Sequence, residues 1–168
     1  IDHFGACDIQ ANWSNIPYEK RPAELFFSEN LLRCVTAHNT NDTDNHSQRQ
    51  QGGTMAMTMG EMAGRLHSQG LDSSGLGRWV WQLFKGKDNL TSRIYTAYRP
   101  CTPQGKEQLS TVYAQHKRHF RSTRKPGEKD RCPRNAFLED LEQELQARKM
   151  AGERVIVMMD ANGDVTSG

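Results

Sequence analysis

Long apolar runs are missing from this 168-residue chain. No stretch approaches the roughly 18 residues of a membrane span, so the sequence offers no candidate for a membrane-crossing helix and no membrane partner is expected. Hydrophobic residues make up only 35% of the chain and mean hydropathy is −0.82, a composition that predicts long polar loops around a modest core. Cysteine is sparse too. Cys7, Cys34, Cys101 and Cys132 are widely spaced, which excludes a C-x-x-C pair or a zinc-ligand pattern with histidine. At this size and density they read as free thiols of a reducing compartment, hence an intracellular location, the nucleus included. Neither a strand–Ser–helix nucleophile elbow nor a phosphate-cradling P-loop is present. No basic-then-apolar leader opens the chain. It begins at Ile1 and stops at Gly168, and both ends read as cut, giving one partial domain over 1–168. With no signal peptide, the four Asn-x-Ser/Thr sequons carry no weight.

What is present alternates between strand-like and helix-like pieces. Asp2 to Asp8 reads as a short strand, followed by a polar turn from Asn12 to Pro17. A helix is expected from Tyr18 to Arg33 on the strength of Leu25, Phe26, Phe27 and Leu32, then a strand from Cys34 to His38. The segment from Asn39 to Gly53 is almost wholly polar and reads as one long loop. Thr54 to Met59 alternates strictly, placing Met55, Met57 and Met59 on one face, where they read as packing residues. Arg78 to Phe84 and Ser92 to Tyr98 read as strands, joined by the polar connections Gly70 to Gly77 and Lys85 to Asn89 of an antiparallel meander. Leu109, Val112, Tyr113 and Phe120 share one helical face, as do Phe137, Leu138, Leu141 and Leu145 in a second helix opened by Pro133 and ended by Gly152. Arg154 to Met159 is a continuous apolar run, read as a fully buried strand. The layout is an α/β sandwich with loops at its strand ends.

The sharpest chemistry follows that last strand. Asp160-Ala161-Asn162-Gly163-Asp164 puts two acids and a carboxamide at a sheet edge, where polar groups commonly hold a ligand. Asp ligates Mg²⁺ or takes a proton from water, and Asn donates to a phosphoryl oxygen. An Asx-turn leaving a strand accounts for the same residues with no ligand at all. The first strand also ends in an acid, Asp8, ahead of Asn12-Trp13. Gly52-Gly53-Thr54 suits a tight turn or a close backbone approach. Tyr98-Arg99-Pro100-Cys101 closes a strand, and Pro100 stops it. Tyr98 there reads equally as a core-edge residue with a wet hydroxyl, and Arg78 as a cation stacked on Trp79. Trp79 and Trp81 read as core. His116 and His119 lie three apart on a helix without a third ligand.

Taken in order, Gly-Gly-Thr (52–54), Gly-Leu-Gly-Arg-Trp (75–79), Phe-Lys-Gly-Lys (84–87), Thr-Ala-Tyr-Arg-Pro-Cys (96–101), the helix from Arg134 to Leu145 and Met-Asp-Ala-Asn-Gly-Asp (159–164) resemble the endonuclease/exonuclease/phosphatase family of DNase I-like fold. Within it they look most like the endonuclease domains that accompany reverse transcriptases in retroelements. The resemblance implies a four-layer α/β sandwich, two mixed sheets flanked by helices and incomplete at both ends, with Mg²⁺-dependent cleavage of DNA phosphodiesters (Mn²⁺ being the alternative ion). By position, Asp8 stands where the family has its metal-binding Glu. Tyr98 matches the Tyr that contacts the scissile phosphate. Asp160 and Asn162 match the Asp-x-Asn pair that activates water and orients the phosphate. The resemblance also implies a reverse transcriptase domain in the same natural chain. There are two departures: Asp8 is one methylene shorter than Glu, and no residue of the sequence matches the family's late Ser-Asp-His segment.

Between Lys117 and Arg134 stand eight basic residues against Glu128 and Asp130, within a chain whose net charge is +2. Such a run can neutralise several phosphates, or it can be a solvated linker. Lys117, Arg118, Arg121, Arg124 and Lys125, with Arg78 and Arg99, are the candidate DNA contacts. Besides the endonuclease, two alternatives stand: a non-catalytic nucleic-acid-binding fragment, and a phosphatase of the same fold acting on a small phosphoester.

Overall fold

The computed structural model describes residues 2–22, 32–102 and 109–163, apart from the side chain of Asn89. In chain order the elements are β1 (His3–Cys7), β2 (Leu32–Ala37), β3 (Thr54–Met59), the one-turn α1 (Gly60–Gly64), β4 (Leu66–Leu71), β5 (Trp79–Lys85), β6 (Thr91–Tyr98), α2 (Val112–Thr123), α3 (Pro133–Met150) and β7 (Arg154–Asp160). They make a mixed α/β architecture with two sheets, ordered β1-β3-β2 and β4-β5-β6-β7. The described strands of the smaller sheet are antiparallel, whereas β7 joins the larger sheet parallel to β6. A parallel neighbour needs a crossover, and α2 and α3 supply it.

The two sheets face each other through unusually small side chains. Thr54, Ala56 and Thr58 of β3 are completely buried, while Met57 and Met59 are only half-buried. So the inward face of this strand is the Thr/Ala face, and the methionines pack on the other. Thr58 Oγ1 donates to Gln82 Oε1 at 2.6 Å across the gap, and Gln82 Nε2 donates on to Gln69 Oε1 at 3.0 Å. The Thr58 hydroxyl and the Gln82 amide thereby partner each other across the gap, as burial demands. Gly5 lies so close to β6 and β7 that a Cβ there would collide with Thr96 and Met158. That close approach brings the end of β1 against the ends of β6 and β7.

The second core lies between the larger sheet and α3. Phe137 and Leu141, one turn apart, pack with Leu145 on Trp79, Tyr95 and Ala97. A fully buried Phe of this kind contributes about 2–3 kcal/mol. Pro133 opens α3 at a position that needs no N–H, and Gly152 (φ +80°) follows its last turn. The Thr111 hydroxyl caps α2 by accepting from Ala114 N–H at 3.2 Å. Beneath both helices runs a buried ion network. Arg78 donates through Nε and Nη2 to the two oxygens of Asp72 (2.6 and 3.1 Å), and through Nη1 to Asp140 of α3 at 2.7 Å.

Several sequence expectations change. Leu32 and Arg33 belong to β2 rather than to a helix, and Tyr18–Lys20 forms a 3-10 turn; the rest of the expected helix, Leu25 to Phe27 included, lies in 23–31, outside the described residues. Leu66–Leu71 is a strand, so Gly70 and Leu71 belong to it and not to the connection expected from Gly70 to Gly77. Leu109 precedes α2 and is exposed, as is Leu138 on α3. Most important, β7 is not fully buried. It has no described partner on its far edge, and Ile156, Val157 and Met159 are exposed. No helix among the described residues is long and apolar enough to cross a membrane.

Candidate functional site

The parallel register pairs Tyr98 with Asp160, so β6 and β7 end side by side. Their carboxyl ends are where loops from a parallel pair converge on ligands. Arg99 N–H donates to Asp160 O at 3.0 Å, which carries the pairing one residue past the strand. The chain then turns. Asn162 N–H donates to Asp160 Oδ1 at 3.0 Å, and Asn162 Nδ2 donates to Arg99 O at 2.7 Å. The Asx-turn open to the sequence reading is therefore formed, yet it uses one carboxylate oxygen of Asp160 and leaves the residue exposed.

Asp8 arrives from the other sheet. Cys7, the last residue of β1, donates through Sγ to Ala97 O at 3.2 Å. Its thiol is pushed up by burial, and the charges of Asp160 and Asp8 add to this while a backbone contact from Asp160 opposes it. One thiol thus feels the charge of both acids. Asp8 itself is exposed but held. Its Oδ1 accepts from Gly52 N–H at 2.9 Å and its Oδ2 from Gln10 Nε2 at 3.2 Å. Gln10 Oε1 in turn accepts from Arg49 Nη2 at 2.8 Å. The tight approach of Gly52 and Gly53 is real: both have φ near +90°, and a Cβ would meet Val112 Cγ2 at 2.8 Å or Ala37 O at 2.9 Å.

Three non-glycine residues here, Asp8 (φ +53°), Gln10 (+58°) and Asn162 (+43°), occupy the left-handed region. Asp and Asn visit it with modest strain, Gln less readily. Strain of this kind concentrates where the surrounding structure must hold a group in place.

The Tyr98 side chain is buried, with its hydroxyl 3.6 Å from Cys101 Sγ. Burial, the Cys101 contact and the charge of Asp8 hold the phenol well above its ordinary value, and the Asn162 amide beside it only partly offsets them. The group is therefore a neutral O–H throughout the physiological range, suited to donate to an anionic oxygen. Tyr98, Asp8, Asp160 and Asn162 are thus brought together, with Arg99 beside them.

The remaining candidates are placed differently. Arg78 is 3% exposed and engaged with two acids; it also stacks on Trp79, 4.5 Å from the ring centre. It presents no cation to solvent. Along α2 and its following loop, Arg121 and Arg124 share Asp130 (3.4 and 2.6 Å), and Arg118 lies 3.8 Å from Asp42 while donating to Leu109 O. Lys117 sits over the Tyr113 ring, and Lys125 donates its backbone N–H to Glu128. Arg118, Arg121, Arg124 and Arg131 of the basic run thus meet carboxylates within the fold. His116 is buried, with Nε2 3.2 Å from Leu76 O and Nδ1 without a partner among the described residues, and burial pulls it down to about 3. All four cysteines are free thiols. Reasoning from sequence missed Cys7, Gln10, Arg49 and Cys101, none of which carries a local signal.

A metal implied by the resemblance can be tested against these donors. Among the described residues no three His, Cys, Asp or Glu side chains gather around a common point, which leaves no closed protein cage. Two carboxylates flanked by an amide are the hard oxygen donors that Mg²⁺ takes, since that ion keeps several waters and relies on substrate phosphate for the rest. The residues fit such an ion.

No family model and no curated protein matches the sequence. Among solved structures, the human Nocturnin catalytic domain with bound sulfate anion superposes with a TM-score of 0.51 at 14% identity, over 98% of this chain and 52% of that one. The chain spans about half the length of the structure it matches. The likeness carries the fold: this is a DNase I-like α/β architecture.

Proposed function

We propose that this chain is the catalytic portion of a metal-assisted endonuclease that hydrolyses DNA phosphodiester bonds. The supporting observation is the convergence of Asp8, Tyr98, Asp160 and Asn162, from two sheets, at one end of a DNase I-like sandwich. The Nocturnin domain binds a sulfate, a tetrahedral anion of phosphate-like shape. The order of motifs along the sequence supports a retroelement setting, with a reverse transcriptase domain elsewhere in the natural chain.

In the proposed reaction, water attacks phosphorus, a new P–O bond forms, and the bond to one flanking sugar oxygen breaks, that oxygen leaving with the electron pair and taking a proton from solvent. Asp160, exposed and with one oxygen outside the Asx-turn, takes the proton from the attacking water. Tyr98, neutral, donates to a non-bridging oxygen on which charge develops, and Asn162 fixes the phosphate's orientation. Asp8 and Asp160 are the residues that would hold Mg²⁺ or Mn²⁺; when bound, such an ion neutralises charge on the phosphoryl oxygens.

The experiment is nicking of supercoiled plasmid in Mg²⁺ and in EDTA, beside Asp160→Ala. Mg²⁺-dependent nicking that the variant abolishes supports the reading. A folded wild-type chain that nicks in neither condition opposes it.

A further inference from the structure

Arg99 and Arg134 are held together next to the candidate site without an acid between them. The backbone of Arg99 is fixed on both sides, its N–H on Asp160 O and its C=O on Asn162 Nδ2. Its guanidinium lies along the turn that follows, with Nη1 3.9 Å from where a Gly163 Cβ would stand. Arg134 comes from the first turn of α3 and donates through Nη1 to the carbonyl of Pro100, the residue after Arg99, at 2.6 Å. The Arg99 Nε is buried and meets no partner among the described residues.

Burial, and then the nearby positive charge of Arg134, lower the hold of Arg99 on its proton, although a guanidinium stays charged at any physiological pH. Cys132 reports the same field. Burial pushes its thiol up, but the backbone N–H groups of Asn135 and Arg134, the Tyr113 hydroxyl and the charge of Arg134 outweigh that and bring it below its ordinary value.

The other arginines of this region are matched. Arg121 and Arg124 meet Asp130, Arg131 meets Glu139 and Asp140, and Arg148 meets Glu144. Arg99 and Arg134 have no described carboxylate within salt-bridge distance. Two like charges kept adjacent, one with an unsatisfied donor, are stabilised when an anion sits between them. Planar forks of this kind suit phosphate.

We infer that Arg99 and Arg134 form a clamp for a second phosphate of the substrate, beside the one engaged by Tyr98 and Asn162, so that the site selects a polynucleotide over a molecule bearing one phosphate. The inference rests on the phosphodiesterase reading for the identity of the first phosphate. It singles out Arg134 from the basic run, and it argues against a small phosphoester as substrate.

The test is equilibrium binding in EDTA, by fluorescence anisotropy, of labelled oligothymidylates carrying one, two or more phosphates. Wild type is expected to gain about tenfold in affinity on the second phosphate. Arg99→Gln and Arg134→Gln should each remove that gain and lower the slope of log Kd against log salt by about 0.7 for a longer single strand. Arg134→Lys should keep most of the slope. Glutamine at 134 retains an N–H for Pro100 O, and a melting scan separates lost contact from lost fold. Slopes unchanged in both Gln variants, or no gain on the second phosphate in wild type, overturn the clamp. No turnover is required, so a chain that fails to nick plasmid counts against the endonuclease reading alone. A chain that nicks while both variants bind unchanged counts against the clamp alone.

Discussion

The backbone N–H of Gly52 donates to the Asp8 carboxylate at 2.9 Å, joining two residues 44 positions apart. The polar loop before β3 is thereby what aims the acid at the end of β1. Gly52→Ala forces a Cβ against Val112 at a φ of +88°, a cost of about 1–3 kcal/mol. The expected outcome is a lower Tm together with lost nicking. Loss of stability with full activity would show that the Asp8 contact does not matter for chemistry.

Tyr98 is predicted to act as a neutral donor. Tyr98→Phe should lower the nicking rate by roughly ten- to a hundredfold with little change in Tm, since the hydroxyl's contact to Cys101 is long. Because burial, Cys101 and Asp8 all hold the phenol up, the wild-type rate should show no loss from this group between pH 8 and 10. A limb in that range that vanishes in Tyr98→Phe would contradict the assignment.

The Asp72–Arg78–Asp140 network predicts strong structural dependence. Arg78→Ala strands a buried Asp72 and should cost about 3–5 kcal/mol, read by urea denaturation. Asp72 is held below its ordinary carboxylate value: burial alone would raise it, but Arg78 and Ser74 outweigh that. Its contribution is present above the ordinary carboxylate range and disappears as pH falls through the lowered folded value.

His116 acts over a different window. Its folded value near 3 lies below the unfolded one, so between about pH 6.5 and 3 the unfolded chain binds a proton that the native state refuses. Stability should decline on acidification by up to about 1.4 kcal/mol per pH unit from this group. His116→Gln should flatten that slope; an unchanged slope would mean that the ring is accessible.

Much of this was legible in sequence because strands end where their pattern ends. β1, β3, β5, β6 and β7 were placed to within a residue or two, and each supplies or supports a site residue at its terminus. β4 was missed since Leu-His-Ser-Gln-Gly-Leu carries leucine only at its ends, as a weakly apolar edge strand does. β7 was misjudged for the opposite reason: Val-Ile-Val-Met-Met states what a strand could bury, not whether a neighbour is there to cover it. The Thr face of β3 turns inward, where Gly5 lets the sheets approach closely. The holders of Asp8, namely Gln10, Gly52 and Arg49, come from loops, and no periodicity encodes a loop closure.

The most direct test of the central claim, that acids from two sheets form one site, is a double-mutant cycle on Mg²⁺-dependent nicking with Asp8→Ala, Asp160→Ala and the pair. The account predicts large single losses and a double variant no slower than the worse single, as for groups that act as a unit. Losses that multiply independently, or an Asp8→Ala chain as active as wild type, would contradict it.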